Sequence, residues 1–170
     1  MEVMNITCDF LICKVKNHKK HKKKLLDLIN EMPQSQSQQN SKSDWLVPKE
    51  HPRKYLQYFY ENIIDPIMDK QKKYFKADQW HIDNGWFQQY HDGTYHKFHN
   101  HESTNWANVY FIELSSSKDI TQVKVRDKLF EYTAKEGDII TFPAHLLHCA
   151  PVINNKRKTV IAFNSNFSYF

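Results

Sequence analysis

Cysteine, glycine and arginine are scarce in this chain, and their scarcity excludes several classes of protein. The 170 residues contain three of each. Cys8, Cys13 and Cys149 form no CxxC pair, so neither a disulfide framework nor a zinc ribbon is indicated, and a reducing compartment is the simpler interpretation. The phosphate-cradling motifs GxGxxG, GxxxxGKS and GxxxxGKT are absent, which leaves mononucleotide and dinucleotide folds without support.

Long apolar segments are also lacking. No run approaches the roughly 18 residues that a membrane-spanning helix needs, so we expect no membrane contact. Asp9 interrupts the apolar stretch near the N-terminus, and no small-residue cleavage site follows it, which argues against a signal peptide. These absences predict a soluble protein of the cytoplasm.

The excess of positive charge comes from lysine. The net charge is +5 and the sequence pI is about 9.0, yet only three of the 24 basic residues are arginine. Arginine is the residue that reads bases and binds phosphates through two parallel bonds. A cluster runs from Lys19 to Lys24, with His18 and His21 interleaved, and we interpret it as a solvated helix face. Nucleic acid is therefore a weakly supported partner.

The first half of the sequence predicts a strand followed by helices. Residues 2–16 mix β-branched and apolar positions, which favours one or two strands. Asn17 can cap a helix that runs to about Met32, and the polar segment 33–44 predicts a surface loop. A second, longer amphipathic helix is predicted from Pro48 to Lys76, with a kink or break at the internal Pro66.

The second half is typical of a β-protein. Beyond Trp80 nearly every segment is short, rich in aromatic or β-branched residues and bounded by turn residues. About eight such runs, with WHID and GWFQQY taken as separate strands, predict an antiparallel sandwich or barrel. We therefore expect an α+β chain, mainly β with flanking N-terminal helices, whose core is a jelly roll.

Three histidines could meet at one metal ion. Successive side chains of a strand alternate faces, so His99 and His101 should project to the same side. His148 follows a predicted strand from Ile139 to Phe142, far enough along the chain for a returning strand to lie beside the first. Imidazole ligands favour iron or another first-row divalent ion. Glu102 is the alternative second ligand, although on a regular strand it points away from His99.

The ordered motifs of residues 80–166 resemble those of the iron(II)- and 2-oxoglutarate-dependent oxygenases. They are Gln88-x-Tyr90-x-x-Gly93-x5-His99-x-His101 and, later, GDIITFPAHLLHCAPVINNKRKTVIAFN. The resemblance is strongest to the small, prolyl-hydroxylase-like oxygenases of phages and marine bacteria. Any one motif alone is weak, whereas the ordered set is specific.

The resemblance implies a double-stranded β-helix, the jelly-roll or cupin-like core of that family. A single oxygenase domain would span 1–170, with an N-terminal strand and supporting helices in 1–78 and the core in 79–170. Fe(II), 2-oxoglutarate and O2 would be the metal, co-substrate and oxidant. His99 and His148 match the family's two histidine ligands, while His101 stands where most members have a carboxylate, so the ligand set becomes three histidines.

The family also places a basic residue on the last core strand, where it pairs with the distal carboxylate of 2-oxoglutarate. Strand register favours Lys158, whereas Arg157 suits a bidentate carboxylate contact and, with Thr159, favours the opposite phase. We favour Lys158. Tyr90 matches a tyrosine that binds the same carboxylate in alkylation-repair relatives, and Gln88 replaces their asparagine.

The implied activity is a dioxygenase that hydroxylates an unidentified substrate and releases succinate and CO2. A protein side chain, a free amino acid and a nucleobase are all open as substrates, and Trp106, in the loop after the ligands, could border the pocket. If a phage encodes the chain, it would act in the host cytoplasm.

Two alternative functions remain. A three-histidine cupin-type metalloprotein that does not use 2-oxoglutarate would explain the missing carboxylate but gives Lys158 no role, and the other alternative is a metal-free jelly-roll binding module.

Overall fold

The computed structural model describes residues 7–33, 35–36, 41–154 and 156–170. Within these ranges three α-helices precede most of the strands. They are α1 (His18–Asn30), α2 (Lys54–Phe59) and α3 (Asp65–Phe75), and a π-helical turn, Tyr60–Ile64, joins α2 to α3. No helix among the described residues is long and apolar enough to cross a membrane.

Two antiparallel sheets form the body of the described part of the chain. The major sheet has the order β1-β9-β6-β11-β4-β3-β2 and the minor sheet the order β5-β10-β7-β8. Their strands are β1 (Leu11–Lys14), β2 (Ser35–Gln36), β3 (Lys42–Ser43), β4 (Gln79–Tyr90), β5 (His96–His99), β6 (Trp106–Glu113), β7 (Gln122–Val125), β8 (Lys128–Leu129), β9 (Asp138–Pro143), β10 (His148–Ala150) and β11 (Lys158–Ser168). This is the double-stranded β-helix that the sequence predicted, with helices added on one side.

Alternation along β11 separates two hydrophobic clusters. Ile161 and Phe163 lie in the cluster between the major sheet and the helices. Val160 lies in the other cluster, between the two sheets, with Val109 and Phe142. Neighbouring residues of a strand face opposite ways. One face of β11 therefore packs against the helices, and its other face lines the space between the sheets. The candidate site occupies that second space.

The helices follow the sequence prediction with two refinements. Asn17 is the residue before α1, but it adopts a left-handed conformation (φ 53°) and its side chain makes no capping bond. The predicted long helix is one helical segment from Lys54 to Phe75, in which the π-helical turn precedes Pro66. Proline lacks an N–H and is tolerated in the first turn of a helix, so the irregularity lies directly before it.

Two predicted boundaries were wrong. WHID and GWFQQY belong to one continuous strand, β4, with Gly85 inside it. A Cβ at Gly85 would lie 2.8 Å from the Tyr60 hydroxyl, so the glycine permits close helix packing and does not end the strand. The segment 33–44 was predicted to be a surface loop, yet β2 and β3 pair within it and β3 extends the sheet beside β4. Residues 34 and 37–40 of that segment lie outside the described ranges.

Candidate metal centre and adjoining cavity

The structure brings His99, His101 and His148 together between the sheets. One ligand atom from each lies within 4.8 Å of the others. His99 ends β5 and pairs directly with His148 at the start of β10. His101 lies beyond the end of β5, where its backbone N–H donates to the carbonyl of Ala144 at 2.9 Å. Strand pairing and this backbone bond therefore place three imidazoles at one point.

Backbone carbonyls orient two of the three rings. Nδ1 of His99 lies 2.9 Å from the Lys97 carbonyl, and Nδ1 of His148 lies 2.9 Å from the Leu146 carbonyl. A carbonyl can only accept, so Nδ1 carries the proton in each neutral ring and Nε2 keeps its lone pair. A backbone partner of this kind is the usual outer support of a metal-binding histidine.

Burial keeps the three imidazoles in the form that binds metal. It lowers the pKa of His99 to about 4 and that of His148 to about 3, and it also lowers the pKa of His101. All three rings are therefore neutral at pH 7. Three neutral nitrogen donors suit a first-row divalent ion such as Fe(II). Glu102, the alternative ligand, is exposed and lies outside this cluster.

A cleft adjoins the histidines, with about 530 Å³ of free volume that is partly open to solvent. We call it the histidine cavity. Its polar or aromatic lining residues include the three clustered histidines together with Trp86, Gln88, Tyr90, His96, Thr121, Cys149, Lys158 and Asn164. No carboxylate lines the cavity among the described residues. Its lining therefore combines imidazoles, one lysine and neutral polar groups.

Lys158 is the buried cation of this cavity. Its side chain is 1% exposed, and its Nζ has no hydrogen-bond partner within the described chain. The ammonium lies 5.1 Å from the centre of the Tyr90 ring, which β4 places opposite it, and 5.8 Å from that of Phe111. Burial lowers the pKa of Lys158 to about 7. Cation–π contacts compensate only part of the lost hydration, so the site favours an anionic partner.

Arg157 and Thr159 lie outside the histidine cavity. Arg157 makes two bonds to the Glu113 carboxylate, at 2.9 and 3.1 Å. Thr159 donates to the same carboxylate at 2.7 Å and accepts from Gln89. Of the three consecutive candidates 157, 158 and 159, only Lys158 faces the cavity. Gln88 also lines it, where its amide donates to Ser41 Oγ at 2.7 Å.

Two further side chains depart from what the sequence suggests. Trp106 could border the pocket if it lay in a loop after the ligands, but it begins β6 and its ring packs on Phe75 at 4.4 Å, among the residues under the helices. On a regular strand His96 would face away from His99, yet it lines the cavity and the two ring centres are 4.2 Å apart. The pairing of β10 with β5 contains a register shift, and such a bulge changes which way a side chain points.

Sequence reasoning also missed two residues of the cavity wall. Trp86 lines the cavity, where its ring centre is 5.9 Å from that of His101, and it meets the exposed Trp45 edge to face at 4.7 Å. The side chain of Asn164 also lines the cavity, and its buried Oδ1 has no partner among the residues described. Strand alternation could have predicted the position of Asn164. Even-numbered residues of β11 share one face, so Asn164 should face the same cavity as Lys158.

The chain is similar to known proteins in its three-dimensional structure. No family model and no curated protein matches the sequence. An oxidoreductase of the 2-oxoglutarate–Fe(II) oxygenase family from Burkholderia pseudomallei has a TM-score of 0.72 at 9% identity, over 92% of this chain and 84% of that one. HygX from Streptomyces hygroscopicus, with nickel and 2-oxoglutarate bound, has a TM-score of 0.71 at 9% identity, over 96% and 85%.

A third similar structure is the viral collagen prolyl hydroxylase of Paramecium Bursaria Chlorella virus-1 in complex with 2-oxoglutarate. It has a TM-score of 0.59 at 12% identity, over 94% of this chain and 96% of that one. Each of the three comparisons covers at least 92% of this chain. The chain has the double-stranded β-helix fold of the 2-oxoglutarate–Fe(II) oxygenases.

Proposed function

We propose that this chain is an Fe(II)- and 2-oxoglutarate-dependent dioxygenase. It would hydroxylate a peptidyl side chain or a small molecule and release succinate and CO2. The observation that carries the proposal is the position of Lys158. Its buried ammonium has no hydrogen-bond partner among the described residues and faces the same cavity as the three clustered histidines. A metal-binding cluster alone fits many proteins. A buried cation beside it fits a metal-bound acid with a second, distal carboxylate.

The three histidines would hold the iron. Their rings are neutral at pH 7, and backbone carbonyls orient those of His99 and His148 so that Nε2 keeps its lone pair. The set differs from the usual two histidines and one carboxylate in carrying no negative charge. The bound ion would therefore keep one more unit of positive charge, which strengthens its attraction for an anionic co-substrate.

The other end of the co-substrate would bind at Lys158 and Tyr90. β11 and β4 place these residues opposite each other, and both are buried. A carboxylate between the ammonium and the tyrosine hydroxyl would satisfy both groups, and a charge-assisted bond is stronger in such a dry site than in water. Gln88 lies two residues along β4 on the same face and supports the wall through Ser41.

Iron and 2-oxoglutarate, when bound, supply the oxidative decarboxylation and the oxidising power for a C–H bond. The chain's own residues bind, orient and exclude water. Val109, Val160 and Ala162 form an apolar part of the wall. Trp86 and Trp45 form an aromatic corner next to His101, at which a substrate could enter.

The substrate class follows by analogy only. Two similar structures point in different directions, since the viral enzyme is a collagen prolyl hydroxylase and HygX has been seen with hygromycin B. A peptidyl side chain and a small molecule are both compatible with a cavity that combines aromatic and neutral polar groups. The cavity's lack of carboxylates among the described residues disfavours a strongly cationic substrate group.

The test is 2-oxoglutarate turnover by the full chain loaded with Fe(II) under anaerobic conditions and then exposed to O2. Succinate should form and should disappear in His99→Ala. In Lys158→Ala, metal should stay bound while succinate formation collapses. Stoichiometric metal with no 2-oxoglutarate turnover would favour the three-histidine metalloprotein, and absence of metal binding would favour a metal-free binding module. Both results would reject the proposal.

A further inference from the structure

Five lysines cluster on the surface at the start of the helical layer. They are exposed, and within the described chain none of them forms an ion pair with a carboxylate. One precedes α1 and four lie on its first two turns. We call this set the α1 lysine face, and its members are Lys16, Lys19, Lys20, Lys23 and Lys24.

The other basic side chains of the same segment are held by the fold. Lys22 binds the Glu136 carboxylate at 2.9 Å. Nδ1 of His18 lies 2.8 Å from the Tyr110 hydroxyl, and His21 contacts a second tyrosine hydroxyl at 2.9 Å. The segment is thus anchored to the sheet and the second helix by some of its basic residues, while the lysine face points outward.

This arrangement costs stability. Lys19 and Lys23, like Lys20 and Lys24, are four residues apart, and like charges at that spacing destabilise a helix by about 0.2–0.5 kcal/mol per pair. No acidic residue lies in the first turn of α1 to offset the positive end of the helix dipole. General richness in lysine does not explain the cluster, because seven of the 21 lysines and no acidic residue fall within 14–24.

We propose that the α1 lysine face binds nucleic acid through its phosphates. From Lys16 to Lys24 the segment spans roughly 12 Å at the rise of a helix, and duplex DNA carries a charge about every 1.7 Å of its axis, so several phosphates lie within reach. Lysine acts as a point charge and does not read base edges as arginine does. Binding at this face is electrostatic and indifferent to sequence.

A nucleic acid fits this face better than a lipid surface does. Basic helices that lie on membranes insert apolar side chains beside their lysines. The buried residues of α1, which are Leu25, Leu28 and Ile29, pack against the sheet and the other helices. None of the exposed large apolar residues of the described chain lies on α1. The helix therefore presents exposed lysines to a partner but no large exposed apolar side chain that could insert into a membrane.

The lysine face and the histidine cavity lie on opposite sides of the major sheet. α1 packs on the cluster that contains Ile161 and Phe163, whereas Lys158 and Val160 of the same strand face the cavity. A polymer bound at α1 would leave the cavity mouth free. The proposal concerns a separate surface and stands whether or not the chain is an oxygenase.

Fluorescence anisotropy of the full chain with a labelled 20-nucleotide single strand and with the corresponding duplex tests this. If four or five lysines contact duplex phosphates, the slope of log affinity against log salt should be about −4, a loss on the order of 100-fold or more between 50 and 200 mM salt. The variant K16Q/K19Q/K20Q/K23Q/K24Q should lose nearly all of this binding. It should unfold at the same or a higher temperature than the wild type, because like-charge repulsion is relieved.

The matched control removes five exposed lysines elsewhere, in K49Q/K70Q/K118Q/K128Q/K135Q. It has the same net charge as the first variant and should keep most of the binding. Equal loss in both variants would show that net charge and not this face is responsible, and would overturn the proposal. Wild-type binding to phosphatidylserine vesicles but not to either oligonucleotide would also overturn it, in favour of a membrane surface.

Discussion

Lys158 and Tyr90 face each other across β11 and β4, with the ammonium 5.1 Å from the centre of the phenol ring and both side chains buried. Lys158→Met removes the charge and keeps the length of the side chain, so we expect 2-oxoglutarate binding to fall by at least about 100-fold, in the range for truncating one partner of a buried charge pair. Isothermal titration of the metal-loaded protein with 2-oxoglutarate measures this loss.

Arg157 provides the matched control, because it directly precedes Lys158 at the start of β11 and its side chain binds Glu113 outside the cavity. Arg157→Gln breaks its bonds to Glu113 but leaves the cavity unchanged. Its affinity for 2-oxoglutarate should stay within about threefold of the wild type, since a half-exposed ion pair contributes roughly 0–1 kcal/mol to stability. If Arg157→Gln loses the co-substrate and Lys158→Met retains it, the assignment of the two residues must be exchanged.

The affinity for 2-oxoglutarate should depend on pH through Lys158. Burial lowers its pKa from 10.5 to about 7, and only the ammonium can pair with a carboxylate. Below pH 7 the lysine is largely charged, and near pH 7 it is half charged. Above pH 7 the free protein holds it neutral, so each binding event must take up a proton and affinity should fall by up to about tenfold per pH unit.

Titrations in two buffers of different ionisation enthalpy measure this proton uptake directly. In Lys158→Arg the guanidinium stays charged, so both the uptake and the decline in affinity above neutral pH should disappear. A wild-type affinity that stays constant from about pH 7 to pH 9, with no buffer-dependent heat, would contradict the prediction.

The same shift has a consequence for folding of the ligand-free protein. The unfolded chain binds the Lys158 proton up to its ordinary pKa of 10.5, whereas the folded chain releases it near 7. Stability should therefore rise with pH between these values, and the burial penalty should be complete below pH 7. Lys158→Met lacks this penalty, so it should be more stable than the wild type at neutral pH by up to a few kcal/mol, with a gap that narrows towards pH 10. Urea denaturation across this range measures the gap, and a variant less stable than the wild type at pH 7 would contradict it.

Two features of the candidate site lie where the sequence predicted them. Register along the motif that resembles the oxygenases favoured Lys158 over Arg157, and Lys158 is the residue that lines the cavity. The length of chain between His99 and His148 allowed a returning strand, and the two histidines are direct partners across β5 and β10. The first prediction therefore rested on a resemblance and the second on spacing along the chain.

Features that depend on irregular backbone or on distant packing could not be predicted. A bulge between β5 and β10 brings His96 beside His99, although simple alternation puts them on opposite faces. Trp106 packs on Phe75 because α3 covers that end of the sheet. A tertiary contact between a strand and a helix about thirty positions earlier leaves no local pattern in the sequence.

Replacing one of the three clustered histidines should weaken metal binding by the protein, whereas replacing a histidine outside the cluster should not. Outer-shell changes cost about 10- to 100-fold in metal affinity, so His99→Ala and His148→Ala, which remove a ligand, should cost more. His145→Ala is the control, because that side chain is exposed and lies outside the cluster. Anaerobic Fe(II) titration measures each variant, and an equal loss in His145→Ala would point to a general effect on folding.

His101→Asp tests the missing carboxylate. The substitution restores the common arrangement of two histidines and one carboxylate and adds a negative charge beside the ion. Fe(II) should bind at least as tightly as in the wild type, whereas His101→Ala should bind it more weakly. A His101→Asp protein that folds but binds Fe(II) no better than His101→Ala would mean that residue 101 is not a ligand.

Two asparagines on adjacent strands should respond oppositely to the same substitution. The side-chain amide of Asn108 is hydrogen-bonded at both ends. Its nitrogen donates to the Phe163 carbonyl and to Ser165 Oγ, and its oxygen accepts from Thr141 at 2.6 Å. Asn164 presents a buried Oδ1 that has no partner among the described residues. Removing a satisfied group leaves its partners unpaired at about 1–3 kcal/mol, whereas removing an unsatisfied one is neutral or stabilising.

Asn108→Leu should therefore lower the free energy of unfolding by about 1–3 kcal/mol, and Asn164→Leu should leave it unchanged or raise it by about 1 kcal/mol. Urea denaturation measures the free energy of unfolding of both variants, and the comparison holds if their m-values equal that of the wild type. The position of Asn164 in the cavity wall explains why an unfavourable buried oxygen would be kept, since a substrate N–H or O–H could satisfy it. If Asn164→Leu destabilises the protein as much as Asn108→Leu, then Oδ1 has a structural partner and its availability to a substrate is lost.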